Sequence, residues 1–138
     1  MDCLAFLFLG ERNQILMADE YRKGWALRYL REAKAELIAA QKMPYMAPSL
    51  ILEAVRKAQV AIYYSLGDPA FVEAIVHQTL GRKKAVDDPV LRCLVEIERM
   101  VQRVVRSPHS DHGQAIEETN GLIRIASDIV ELLTGETA

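Results

Sequence analysis

The chain predicts an all-α bundle, and three observations carry that prediction. Apolar residues recur at helical spacing in every long segment. Asp-Pro pairs and glycines stand where helices should start and stop. No segment alternates apolar and polar residues with the period of two that a half-buried strand needs. Four long helices and one short one are expected, arranged up and down.

Asp19 is placed to cap the first helix, which runs to about Lys42. Ala26, Leu30, Ala33, Leu37 and Ala40 fall on one of its faces. Pro44 and Pro48 end it, because neither can continue a helix interior. The second helix runs from about Pro48 to Leu66 and stops at Gly67. Ala54, Ala58, Ala61 and Ser65 give it a stripe of small side chains, flanked by Ile51, Val55 and Ile62. That stripe lets the alanine-rich first helix approach closely, and the short connection makes the two an antiparallel pair. Asp68-Pro69 reads as N-cap and first helical residue of a shorter third helix that ends at Gly81. Asp88-Pro89 repeats the signature and opens a fourth helix to about Arg106, with Val90, Leu94, Ile97, Val101 and Val104 as its core seam. Ser110 or Asp111 caps a fifth, running to about Leu133 before Gly135. Its Ile116, Leu122, Ile123, Ala126, Ile129, Val130 and Leu133 are expected to face the fourth helix across the bundle.

At 138 residues the chain suits one domain, here a helical bundle over 17–138, able to bury about two-thirds of its unfolded surface. Residues 1–16 read as an N-terminal extension, a flexible or partner-docking arm, since Met17 stands just before a good helix start. The apolar run from Cys3 to Leu9 is too short to span a bilayer, and Asp2 spoils a signal-peptide reading, so no membrane association is expected. Cys3 and Cys93 form no CxxC and have no ligand neighbours. They read as reduced thiols of a cytoplasmic protein, with a disulfide between them as the alternative. The net charge of −2 argues against a broad electrostatic footprint for nucleic acid and leaves room for a local stripe.

Such a stripe exists on the fourth helix. Arg92, Arg99, Arg103 and Arg106 are spaced 7, 4 and 3. They fall within about 60° of one another, opposite the apolar seam. Four guanidinium groups in a row suit a phosphate backbone or an acidic partner helix. They also suit a solvated face with local ion pairs, for instance through Glu96. The stripe leads into RVVRSPHSDHG, Arg103 to Gly113. Arg103 with His109, or Arg106 with His112 as runner-up, could act as a metal-independent RNA-cleaving pair. The imidazole would move a proton to or from a 2′-hydroxyl, and the guanidinium would hold the phosphate. The plainer reading is a polar corner between two helices, turned at Pro108.

His109, Asp111 and His112 lie too close together to surround an ion and lack a fourth ligand, so no metal is expected. Gly81-Arg82-Lys83-Lys84 follows no strand and reads as a linker rather than a phosphate loop, and no cofactor is expected. His77 reads as a surface or part-buried residue. Tyr63 and Tyr64 could stack on bases, although bundle packing also accounts for them.

ALRYLREAKAELIAAQK, a short break, and LILEAVRKAQVAIYYSLGDP together resemble the first helical pair of HEPN domains (higher eukaryote and prokaryote nucleotide-binding). GLIRIASDIVELL resembles the closing helix of such domains, so the likeness covers roughly residues 19–133. The family's mark, an arginine followed by four to six residues and a histidine, can be carried here only by Arg103 with His109 or Arg106 with His112. Val104 stands where the family commonly has a polar residue after the arginine; Ser107 follows Arg106, and Pro108 interrupts the motif. The resemblance implies a homodimer. It also implies either a toxin-type ribonuclease or the partner subunit of a small nucleotidyltransferase. The alternative is a non-catalytic helical interaction module forming homo-oligomers.

Overall fold

The computed structural model describes residues 19–82, 86–106 and 112–138. Among them all regular structure is helical: α1 (Glu20–Lys42), a 3-10 turn (Pro44–Met46), α2 (Ala47–Leu66), α3 (Pro69–Leu80), α4 (Pro89–Arg106) and α5 (His112–Thr134). The expected N-terminal extension and the expected α5 caps, Ser110 and Asp111, lie outside the described residues.

Carboxylates start three of these helices. Asp19 Oδ1 accepts from the Arg22 amide at 2.8 Å. That backbone hydrogen bond holds the Asp19 carboxyl below the usual carboxylate range. Asp68 accepts from Ala70 N at 3.0 Å, and Asp88 from Val90 N at 2.9 Å and Leu91 N at 3.2 Å. Each satisfies amides that the first turn leaves without carbonyl partners. Pro44 stops α1, and the Gly67 amide closes α2 on Tyr63 O. Gly135 follows α5 at φ +77°, the left-handed conformation in which a helix commonly ends and glycine carries no Cβ penalty.

The α1 and α2 helices form the most extensive contact in the fold. They run antiparallel: Arg22 near the start of α1 donates to Tyr64 O near the end of α2, while Glu36 further along α1 meets Lys57 further back along α2. The small-residue stripe is what permits the approach, since Ala54, Ala58, Ala61 and Ser65 have no exposed surface. The α2 helix is the central one. Ile51, Val55, Gln59, Ile62 and Tyr63 are buried as well, so its buried residues extend well beyond a single stripe. A helix apolar on so many sides needs several neighbours, and α2 touches each of the other four.

This corrects the expected place of α5. Its apolar face, including Leu122, Ala126, Ile129, Val130 and Leu133, packs chiefly on α2 and then on α1, and only lightly on α4. The α4 seam is buried at Leu94, Ile97, Val101 and Val104, with Val90 half-buried, and packs against α2, α3 and α5 together. Cys93 supplies a second correction: it is buried and disulfide-bonded, not a reduced thiol. The absence of a CxxC and of ligand neighbours, on which the thiol reading rests, says nothing of the Cα separation that decides bridging. Cys3 lies outside the described residues. No helix among the described residues is long and apolar enough to cross a membrane.

Candidate nucleic-acid interface and adjoining cleft

Arg92, Arg99, Arg103 and Arg106 are all exposed, on the side of α4 away from its buried seam. They are not equivalent. Arg92 turns back on the chain leading into its own helix: its Nε and Nη2 donate to Val86 O at 3.2 and 2.9 Å. Arg99, Arg103 and Arg106 make no hydrogen bond or ion pair among the described residues, and Glu96 pairs with none of them. Three guanidinium groups therefore stand along the last two turns of α4 with their donors turned to solvent. His109 lies outside the described residues. His112 opens α5, and its side chain is also outside what is described. The structure thus describes the arginine half of each expected Arg–His pair.

The tyrosines offer no free stacking face of the kind considered. Tyr63 is only 3% exposed, and burial, reinforced by the charges of Glu98 and Glu73, pushes its hydroxyl well above the ordinary tyrosine range. Tyr64 is half-buried in an aromatic cluster, with ring centroids 6.2 Å from Trp25 and 5.8 Å from Tyr29 in stacked arrangement. Burial, then the neighbouring Tyr29, also raises its hydroxyl. Arg28 completes this cluster, its guanidinium 5.1 Å from the Trp25 ring centroid.

Beside the stripe lies a cleft of about 470 Å³ between α2, α3 and α4. Val60, Pro69, Val101 and Val105 form apolar walls, and Arg56, Glu73, His77 and Gln102 also line it. At its base is a polar group made from two helices. Gln59 Nε2 donates to Glu98 Oε1 and to Tyr63 Oη, both at 2.9 Å. Both amide hydrogens are used, so the carboxylate is fixed in place. Glu98 is 7% exposed, and His77 Nε2 stands 3.7 Å from the same Oε1 and 3.9 Å from Glu73 Oε1. Glu98 Oε2 accepts no hydrogen bond among the described residues, and it is not sealed from solvent either. A buried carboxylate with one oxygen held and the other open is a preformed acceptor.

Glu98 and Gln59 were missed as functional candidates because the α4 seam was read through apolar residues alone. The available signal was position. Glu98 lies four residues after Leu94 and three before Val101, so it shares the seam's side of the helix. A carboxylate at core spacing needs a buried partner.

No family model, curated protein or solved structure matches the chain.

Proposed function

We propose that this is a HEPN-like helical-bundle protein that acts on or beside RNA or nucleotides, gripping phosphates with Arg99, Arg103 and Arg106. The observation that carries the reading is that, among the described residues, these three exposed, aligned guanidinium groups have no carboxylate partner. In a chain of net charge −2, an unneutralised basic stripe is a local feature that draws anions to one face. Guanidinium matches the oxygens of a phosphate in bidentate geometry, and an unpaired one gives up no existing ion pair to do so. In the proposed arrangement two copies form a homodimer. Arg103 with His109, or Arg106 with His112, then supplies phosphate grip and proton transfer at a 2′-hydroxyl. This makes the protein either a toxin-type ribonuclease or the partner of a small nucleotidyltransferase. Metal-free incubation of RNA with the purified protein tests the cleaving form. Cleavage lost in His109→Ala or His112→Ala supports it, and an inert parent protein overturns it.

A second reading, a helical interaction module, is favoured by the large apolar side chains left at the surface. Tyr45 is 81% exposed, Phe71 67% and Ile38 51%. Ile38 also lines a second cleft, of about 490 Å³, where α1 meets α5. On that reading partner binding survives high salt, and substitution of the arginine stripe leaves it unchanged.

A further inference from the structure

We propose that the cleft between α2, α3 and α4 is a base pocket that takes guanine, read by the carboxylate of Glu98. The proposal rests on the preceding reading only where it assigns the nucleotide's phosphate to the arginines; the pocket itself stands on separate observations.

Glu98 is more than nine-tenths buried, yet among the described residues only one of its oxygens has a protein partner. Gln59 fixes that oxygen at 2.9 Å and so sets the plane of the carboxylate. Oε2 is open to solvent, so a donor brought by a ligand can take the place of water there. An ionised carboxylate accepts and never donates. The open Oε2, together with the lone pair that Oε1 keeps beside its Gln59 bond, therefore matches a flat group with two adjacent N–H donors. Among the four RNA bases only guanine has that edge, in N1–H and the 2-amino group. Adenine and cytosine set a ring acceptor nitrogen beside their single amine, and uracil flanks its one N–H with two carbonyl oxygens. Each of those three would press an acceptor against the carboxylate.

The surroundings suit the same ligand. A cleft of about 470 Å³ is of the size that holds a small organic ligand. Val60, Val101 and Val105 give it apolar surface on which a flat ring can lie, and Gln102 on the same wall carries an amide donor for the O6 of guanine. Arg56 also lines the cleft. Arg106 follows Gln102 by four residues, about 40° further round α4, so the phosphate grip begins beside the pocket.

Titration calorimetry of the full chain with GMP, IMP, AMP and UMP tests this directly. IMP keeps N1–H and O6 but lacks the 2-amino group. The expected result is GMP bound at least about tenfold more tightly than any of the others, the range of one hydrogen bond to a charged acceptor. Glu98→Gln, which keeps an acceptor for Gln59, should abolish that preference while the protein still folds, with a smaller loss of melting temperature than Glu98→Ala. If this variant does not fold, Val105→Trp fills the cleft without touching the charge and should remove GMP binding. GMP and IMP bound equally, or GMP not bound at all, overturns the proposal. Arginine methyl ester bound more tightly than GMP also overturns it, in favour of a guanidinium from a protein partner. Salt-dependent RNA binding with no preference for GMP leaves the arginine stripe standing and removes the pocket alone. A GMP preference in a protein whose RNA binding ignores the arginines removes the stripe and leaves the pocket.

Discussion

Gln59 and Glu98 stand 39 residues apart and meet through a single amide nitrogen, which also serves Tyr63. Nothing local in the sequence announces that meeting, because it depends on how α2 and α4 are set against each other. Glu98→Ala should cost about 1–3 kcal/mol, since it strands a buried amide donor. Glu98→Gln should cost less, because it keeps an acceptor; urea denaturation with the slopes compared checks both. Lys57 shows the same dependence on register at the α1–α2 contact, where it meets Glu36 and Glu32. The Glu36 hydrogen bond lifts Lys57 above the ordinary lysine value. Burial works to raise the Glu32 carboxyl, but the hydrogen bond and charge of Lys57, with Arg28, outweigh it and hold it below the ordinary value. The signs set a window. The Glu32 contribution is present above the ordinary carboxylate value and fades as pH falls through its lowered one. The Lys57 contribution is present below the ordinary lysine value and fades as pH rises through its raised one. Lys57→Met should therefore destabilise most near neutral pH. The gap from the parent should narrow below about pH 4, and a gap that widens there would contradict the assignment.

Helix limits were the most legible part of this chain, because caps act locally. Asp19, Asp68-Pro69 and Asp88-Pro89 each open a helix where the sequence places it, and Gly67 closes α2 as expected. Asp88→Ala should cost about 1 kcal/mol through the lost cap of α4, while Asp88→Asn should cost only a few tenths; thermal unfolding distinguishes them. The choice of neighbour was less legible. The apolar stripe of α5 states that something must cover it but not which helix, and it was assigned to α4 when it lies on α2 and α1. Ala58, with no exposed surface, sits in the small-residue stripe that lets α1 come close. Ala58→Leu should overpack that contact and cost about 1–3 kcal/mol, with Ser49→Leu on an exposed turn of α2 as the neutral control.

At the scale of the whole molecule, α4 presents three different faces. The seam faces the core, Glu98 and Gln102 face the cleft, and Arg99, Arg103 and Arg106 face solvent. The arginine spacing was readable in the sequence, but the absence of ion pairs around it among the described residues was not, since Glu96 lies close enough along the helix to have supplied one. The covalent state of Cys93 was left between two readings, because bridging depends on a separation in space that the sequence does not give. Without reductant it should resist alkylation even in denaturant, and labelling there would contradict the disulfide. The central claim is the phosphate grip, and the salt dependence of single-stranded RNA binding tests it most directly. Each phosphate contact contributes about 0.7 to the slope of log K against log salt, so three arginines account for about 2. The parent protein should show a slope at least that steep, and the Arg99→Gln, Arg103→Gln, Arg106→Gln triple variant should lose about 2 of it. A parent that binds no RNA, or a triple variant with the parent's slope, would contradict the account.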